Sequence, residues 1–209
     1  MTDTAKIRIA IVTTHPIQYQ IPWFCSLAVQ PEVELKVFFG MIPDEHQQGI
    51  GFGVSFLWDI PLLEGYQWEL LRNISKQPSL ETFRGCNTPS IYKVLSNFRP
   101  DVVIITGWQS LSLIQALWTC MRLRIPRIMR GESNAMRKRP LWIRLIHKLF
   151  LSRFDAFLAI GKANREFYLG CGVPVEKIFR CNYFIDNQWF RNRFSGFSGD
   201  RNVIRSGWG

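Results

Sequence analysis

Ile7-Arg8-Ile9-Ala10-Ile11-Val12 runs into Thr13-Thr14-His15-Pro16-Ile17-Gln18-Tyr19-Gln20-Ile21-Pro22, and the reading of this stretch decides the fold. Four of the first six residues are Ile or Val, broken only by Arg8 and Ala10, the pattern of a buried first strand. A polar loop carrying an imidazole, an amide and a phenol follows, and a helix opens near Pro22. In an open α/β sheet, ligands bind outside the carboxyl ends of the strands. One strand end, one helix start and three hydrogen-bonding side chains (His15, Gln18 and Tyr19) therefore share one expected ligand site. Pro16 and Pro22 bracket the loop and restrict its conformations.

The same alternation continues along the chain. Strand character recurs at 7–13, 33–39, 68–71, 101–106, 127–130, 156–160 and 177–181. Helical character falls at 22–29, 90–98, 110–123, 140–152 and 162–169. The pattern predicts an α/β domain with a doubly wound, mostly parallel Rossmann-like sheet and helices on both faces. Val102–Met121 is a run of twenty residues without a charge. Gly107, Gln109, Ser110, Ser112 and Gln115 interrupt it, so it reads as a strand and a capped helix, not as a membrane span. The stretch from Gly40 to Gly65 carries three closely spaced glycines as well as Phe52, Phe56, Leu57 and Trp58. It is read either as a loop folding over a pocket or contacting a partner, or as an excursion packed on the domain's own surface.

Composition narrows the functional classes. With 47% hydrophobic and 14% aromatic residues in 209, the chain has ample material for a core. Its five cysteines are scattered without a Cys-x-x-Cys pair, which fits neither a disulfide framework nor a zinc site, and no metal site is expected. The charged start, MTDTAKIRIA, is unlike a secretory signal, and a reducing, cytoplasmic setting is expected. Net charge is +10, unevenly spread. Residues 1–100 carry 8 Lys and Arg against 9 Asp and Glu, whereas residues 101–209 carry 18 against 7. An anionic partner for the second half follows.

Three further segments hold candidate chemistry. Arg130-Gly131-Glu132-Ser133-Asn134 follows a strand directly; Gly131 allows close approach, and Glu132 is a candidate base or hydroxyl acceptor. Its alternative is a helix-start turn with Glu132 paired to Arg130 or Arg137. Gly161, Lys162 and Asn164 stand where a helix N-terminus meets phosphate, although no Gly-x-Gly-x-x-Gly or Walker spacing is present. Residues Arg137–Arg153 are a basic, largely apolar stretch whose helix opens at Pro140, and in it Arg144, His147 and Lys148 share a face. Its apolar side is assigned to covering the sheet, and its basic edge is free to touch an anionic membrane at the inner face of the cell. Nucleic acid is not expected as a partner, because the aromatics of this helix sit on the apolar side instead of interleaving with the charges.

Taken together, RIAIVTTHPIQYQIPWF (8–24), DVVIITGWQS (101–110), RIMRGESN (127–134) and FDAFLAIGKANREFYLGCGVPVEKIFRCNYFIDNQWF (154–190) resemble the N-terminal domain of GT-B glycosyltransferases of family 4, glycosyl transferases group 1. Tyr168, Gly172-Val173, Lys177-Ile178, Ile185-Asp186 and Phe190 fill the places of that family's last stretch. The resemblance spans about residues 7–190 and is loose over 40–100. His15-Pro16-Ile17-Gln18 stands where many members carry a glycine-rich turn. The resemblance implies an acceptor-binding half over residues 1–190, with 191–209 beginning a linker toward a donor-binding domain that this chain does not include. The reaction implied is transfer of a sugar, with retention, from a nucleotide diphosphate sugar to a glycan, lipid-linked or small-molecule acceptor. No tightly bound cofactor is implied; the nucleotide-sugar is a co-substrate held mainly by the second domain. His15 and Glu132 become the candidate catalytic pair. Gln18, Tyr19, Arg130, Gly131, Ser133, Asn134, Gly161, Lys162 and Asn164 become substrate contacts. The isolated half is expected to be inactive, and a non-catalytic domain binding glycan or anionic lipid is the alternative.

Overall fold

Seven parallel strands form one sheet in the computed structural model, which describes residues 5–49, 53–136, 140–197 and 205–207. The strands are β1 (Ile7–Thr13), β2 (Val33–Phe39), β3 (Gln67–Leu70), β4 (Val102–Ile105), β5 (Arg127–Met129), β6 (Ala156–Ala159) and β7 (Ile178–Arg180). Their order across the sheet is β3-β2-β1-β4-β5-β6-β7. The helices are α1 (Ile21–Ala28), α2 (Glu45–Gly49), α3 (Ile91–Phe98), α4 (Leu111–Leu123), α5 (Leu141–Leu151), α6 (Lys162–Gly170) and α7 (Asn187–Phe197). The expected Rossmann-like sheet is present.

Successive residues of the central strands serve opposite faces, which is why these strands are apolar throughout. Ala10, Val12, Phe38, Val103 and Ile105 join one core cluster with Ile91 and Leu95 of α3, Leu113 and Leu117 of α4, and Phe167 and Tyr168 of α6. Ile11, Leu35, Val37, Phe39 and Ile104 join the other, with Ile21, Trp23 and Phe24 of α1. Each large apolar side chain fully buried in this way contributes about 1.5–3 kcal/mol. In-register pairing of Ile11 with both Val37 and Ile104 places β1 between β2 and β4. At the amino-terminal edge, Arg8 pairs with Glu34 at 3.0 Å and the Asp101 carboxylate accepts the Arg8 backbone N–H at 2.7 Å. These contacts fasten the end of the sheet away from the strand carboxyl ends.

Val102–Met121 divides into β4 and α4, and no helix among the described residues is long and apolar enough to cross a membrane. In the 40–65 stretch, Leu62 and Leu63 pack against the α1 face of the core, and the Phe56 and Trp58 rings meet edge to face at 4.8 Å. Residues 50–52 lie outside the described residues. α7 occupies Asn187–Phe197, a segment whose Arg, Asn and Ser content gave no helical expectation and which crosses the boundary drawn at residue 190.

α5 corrects the sequence reading most. Its apolar side does not cover the sheet: Leu141, Trp142, Leu145, Ile146 and Leu149 are all exposed. The helix is docked through Leu151, Phe150, Ile143 and His147 instead. The His147 ring, assigned to the solvated basic edge, lies 5.8 Å from Trp108 and 5.5 Å from Phe167. The physical reason is local. Trp108, Phe154 and Phe167 already fill this part of the core, so only a narrow sector of α5 is needed to close it. Arg137, Lys138 and Arg139 lie outside the described residues.

Candidate functional site

The carboxyl ends of β1, β4 and β5 converge on a cavity of about 390 Å³. β1 contributes Thr13, Thr14, His15, Ile17, Tyr19 and Gln20; the β4 end contributes Thr106, Gly107, Trp108 and Gln109; the β5 end contributes Gly131, Glu132 and Ser133. Because the order turns from β1 toward β2 on one side and toward β4 on the other, the loops after β1 and β4 leave on opposite faces. The crevice between them is the topological switch point of the sheet.

Each wall is held by its own backbone chemistry. The β1 loop closes as a turn in which Gln20 N–H donates to Ile17 O at 2.9 Å. That turn aims Ile17, Tyr19 and Gln20 at the cavity and leaves Gln18 off its lining. Gln20, which the sequence reading did not select, is buried and lies 3.4 Å from the Thr13 hydroxyl. In the β4 loop, Gly107 adopts φ 120°, and a Cβ there would meet Gln109 Oε1 at 2.3 Å; only glycine fits this turn. Gln109 Oε1 in turn accepts the Trp108 N–H at 3.0 Å. The β5 loop is pinned by Tyr168, fully buried on α6. Its hydroxyl accepts the Gly131 N–H at 3.2 Å and donates to Gly131 O at 3.4 Å.

The electrostatics are uneven. Burial lowers the His15 pKa to about 4, so its imidazole is neutral at physiological pH. Its Nδ1 shares a hydrogen bond with Thr14 Oγ1 at 2.9 Å, which leaves Nε2 for a ligand. Tyr19 and Tyr183 meet edge to face at 4.8 Å, and both phenols lie against the Glu132 carboxylate. Burial first, then the charge and hydrogen bond of Glu132, push the Tyr183 hydroxyl up to about 12 and that of Tyr19 higher still. Both phenols therefore stay protonated and available as donors.

Beside them lies an unusual cation. Arg130 is 1% exposed, and its Nε and Nη2 have no hydrogen-bond partner among the described residues. Its guanidinium sits 4.7 Å from the Trp23 ring and 5.7 Å from that of Tyr183. Such cation–π contacts are worth about 0.5–2 kcal/mol each. They offset only part of the cost of burying an unsatisfied charge. The arrangement leaves capacity for an anionic partner.

The remaining candidates fall elsewhere. Asn164 is buried and committed to the fold: its Oδ1 accepts the Ile160 N–H at 3.1 Å and its Nδ2 donates to Ser133 O. It therefore supports the β5 loop from behind. Asn134 Oδ1 accepts the Met136 N–H at 3.1 Å, and the residue does not line the cavity. Gly161 and Lys162 line a separate cavity of about 420 Å³ with Arg165, Arg180 and Asn182. Tyr183, Trp108, Gln20 and Tyr168 went unselected. Tyr168 had a signal only through the family-like last stretch, and Trp108 had one as an aromatic directly after a buried strand.

No family model and no curated protein matches this sequence. Solved structures do resemble the fold. A UDP-N-acetylglucosamine 2-epimerase matches with TM-score 0.57 and 14% identity, over 85% of this chain and 48% of that one. The lipopolysaccharide outer core galactosyltransferase WaaB in its apo form matches with TM-score 0.52 and 14% identity, over 83% and 44%. Anabaena Alr3699/HepE in complex with UDP and glucose matches with TM-score 0.53 and 11% identity, over 86% and 45%. This chain therefore has the Rossmann-like architecture of one half of the GT-B fold, and it spans about half the length of these structures.

Two outcomes are expected from the site's construction. Tyr168→Phe keeps the ring and removes both bonds to Gly131, so denaturant unfolding should show a loss of about 1–3 kcal/mol. A loss below about 0.3 kcal/mol would mean that Tyr168 does not hold the loop. For His15, the folded pKa lies below the unfolded value of 6.5. The unfolded chain thus binds the proton first, and the contribution of His15 is lost as pH falls from 6.5 toward 4, then levels off. His15→Asn should remove that part of the pH dependence. Identical pH profiles of the urea midpoint for both proteins would contradict a half-buried, neutral imidazole.

Proposed function

We propose that this chain is the acceptor-side half of a glycosyltransferase that moves a sugar from a nucleotide diphosphate sugar to a hydroxyl acceptor. The observation that carries the reading is the switch-point cavity, which joins a neutral imidazole, a carboxylate, hydroxyls and amides beside a buried cation that has no ion pair among the described residues. Sugars are bound through dense networks of neutral donors and acceptors, and this lining supplies them from His15, Gln20, Thr106, Gln109, Ser133 and Tyr19. The likeness to solved GT-B-fold structures supports a sugar-nucleotide setting.

In this reading His15 Nε2 and Gln20 orient the acceptor, and Glu132 is the group able to take a proton from its hydroxyl. Tyr19 and Tyr183 position that carboxylate as donors. Arg130 supplies positive charge for phosphate oxygens, whose negative charge grows as the glycosidic bond to the nucleotide breaks. Gly131, between Arg130 and Glu132, fixes their spacing through Tyr168. A GT-B partner domain would complete the donor site. The acceptor class extends over glycans, lipid-linked sugars and small molecules.

The chain alone is expected to bind sugar without turning over nucleotide-sugar. Saturation-transfer NMR with glucose and its oligomers should show contacts that His15→Ala and Glu132→Ala each weaken about tenfold, an effect of about 1.4 kcal/mol. Release of UDP from UDP-glucose by the purified chain would contradict the half-site assignment. Epimerisation of UDP-N-acetylglucosamine without an acceptor would replace transfer with the epimerase reading. Sugar binding indifferent to both substitutions would remove the cavity as the site.

A further inference from the structure

α5 presents an apolar ridge to solvent that the fold does not use. Leu141, Leu145 and Leu149 follow one another at four-residue spacing, so they form a line along the outer face of the helix. Trp142 and Ile146 form the adjacent line. These five side chains are 55–78% exposed, and Met136, just before the helix, is 83% exposed. Scattered exposed leucines are ordinary, but a contiguous apolar patch on one element marks an interaction surface.

The charges around the ridge choose its occupant. Arg144 and Lys148 stand on the flank opposite Trp142 and Ile146, both exposed. Arg144 Nη2 donates to Gly170 O at 3.4 Å, and the Lys148 stem lies over Gly172, so the α6 end holds this flank in place. From Ser133 to Phe154 the sequence contains six Lys and Arg and no Asp or Glu. A second copy meeting this face symmetrically would set cation against cation, because a two-fold interface brings the same patch from both sides. A nucleic acid would gain the charge but leave three leucines in water. An anionic phospholipid surface satisfies both features at once: leucines and Trp142 enter the acyl boundary while the basic flank lies at the headgroups. Trp is also the side chain favoured at that interface.

We propose that α5 is a membrane-docking helix that lies in the plane of an anionic bilayer. It would seat about 16 Å of helix, at 1.5 Å per residue, along the surface. Trp108 packs on Phe150 and His147 of α5 and also lines the switch-point cavity, so the cavity stands one side chain behind the docked face.

Flotation of the purified 209-residue chain with vesicles tests this. Phosphatidylcholine vesicles with about 30% phosphatidylglycerol should recover at least about tenfold more protein than phosphatidylcholine alone, with the preference shrinking as salt rises past 0.15 M, roughly. Trp142→Ser with Leu145→Ser and Leu149→Ser should cut recovery about tenfold or more. All three side chains are already exposed, so near-UV circular dichroism should be unchanged. Arg144→Gln with Lys148→Gln should weaken binding severalfold at low salt and less at high salt. Absence of vesicle binding, or binding that the triple variant retains, would overturn the proposal. So would a concentration-dependent dimer in sedimentation that the triple variant abolishes without any vesicle binding, because a second copy would then be the occupant. Sugar binding in the cavity should be the same for wild type and triple variant, so this test and that of the transfer reading fail independently.

Discussion

The parallel pairing of β1 with both β2 and β4 is the constraint on which the rest of the molecule depends. Parallel neighbours must be joined by crossovers, and right-handed crossovers fix the side of the sheet on which each helix lies. With β1 in the middle, the chain leaves it toward β2 over one face, then returns to β4 and proceeds outward over the other. A gap between the two departing loops is unavoidable. Thr13–Gln20 and Thr106–Gln109 are the residues the chain happens to have at that gap, and every polar group of the cavity is placed relative to it. The apolar strand residues hold the gap open by anchoring both faces: Ala10 and Val12 belong to one core cluster, Ile11 to the other.

Within that gap the charges are arranged asymmetrically. The half-buried imidazole is neutral, whereas the Arg130 guanidinium lies against the rings of Trp23 and Tyr183, with Nε and Nη2 unpartnered among the described residues. A guanidinium cannot escape by deprotonation as a lysine can, so it stays cationic however it is buried. Glu132 is two residues away, yet it faces Tyr19 and Tyr183 instead of pairing with Arg130. Of the alternative turn's two pairings, the one between Glu132 and Arg130 is therefore not formed, and the one with Arg137 falls outside the described residues. In the proposed reading the carboxylate supplied with donors serves a hydroxyl, and the cation, buried behind the cavity lining, acts on an anion through its field.

Much of this was legible in the chain because buried strands advertise themselves. Ile7–Thr13 and Val33–Phe39 were assigned with the same bounds that the structure shows, and the other strands within a residue or two. The loops at their ends were placed correctly for the same reason. Which side chains of a loop face inward was not legible. Gln18 and Gln20 differ only in where a turn leaves them, and the turn is set by one backbone bond. Tyr183 was out of reach altogether, since it joins Glu132 only through the packing of the segment after β7. Asn164 is the converse case. A polar residue at a helix start invites a ligand role, but here both ends of the amide are used to brace Ser133 and Ile160.

α5 shows where periodicity stops being informative. A helix with more apolar residues than one face needs can dock through either of two sectors, and hydropathy favours the broader one. Packing decides otherwise when the site it must close is narrow and already lined with rings. Trp108, Phe154 and Phe167 leave room for Phe150, Leu151 and the side of His147, and the leucine ridge is left in water. A sequence under no pressure to keep that ridge apolar gains solubility by replacing it with charge, so its exposure is a cost that burial within this domain does not offset. The cost is met only if the ridge is covered in use. The surface that covers it has to tolerate six basic residues along the same stretch.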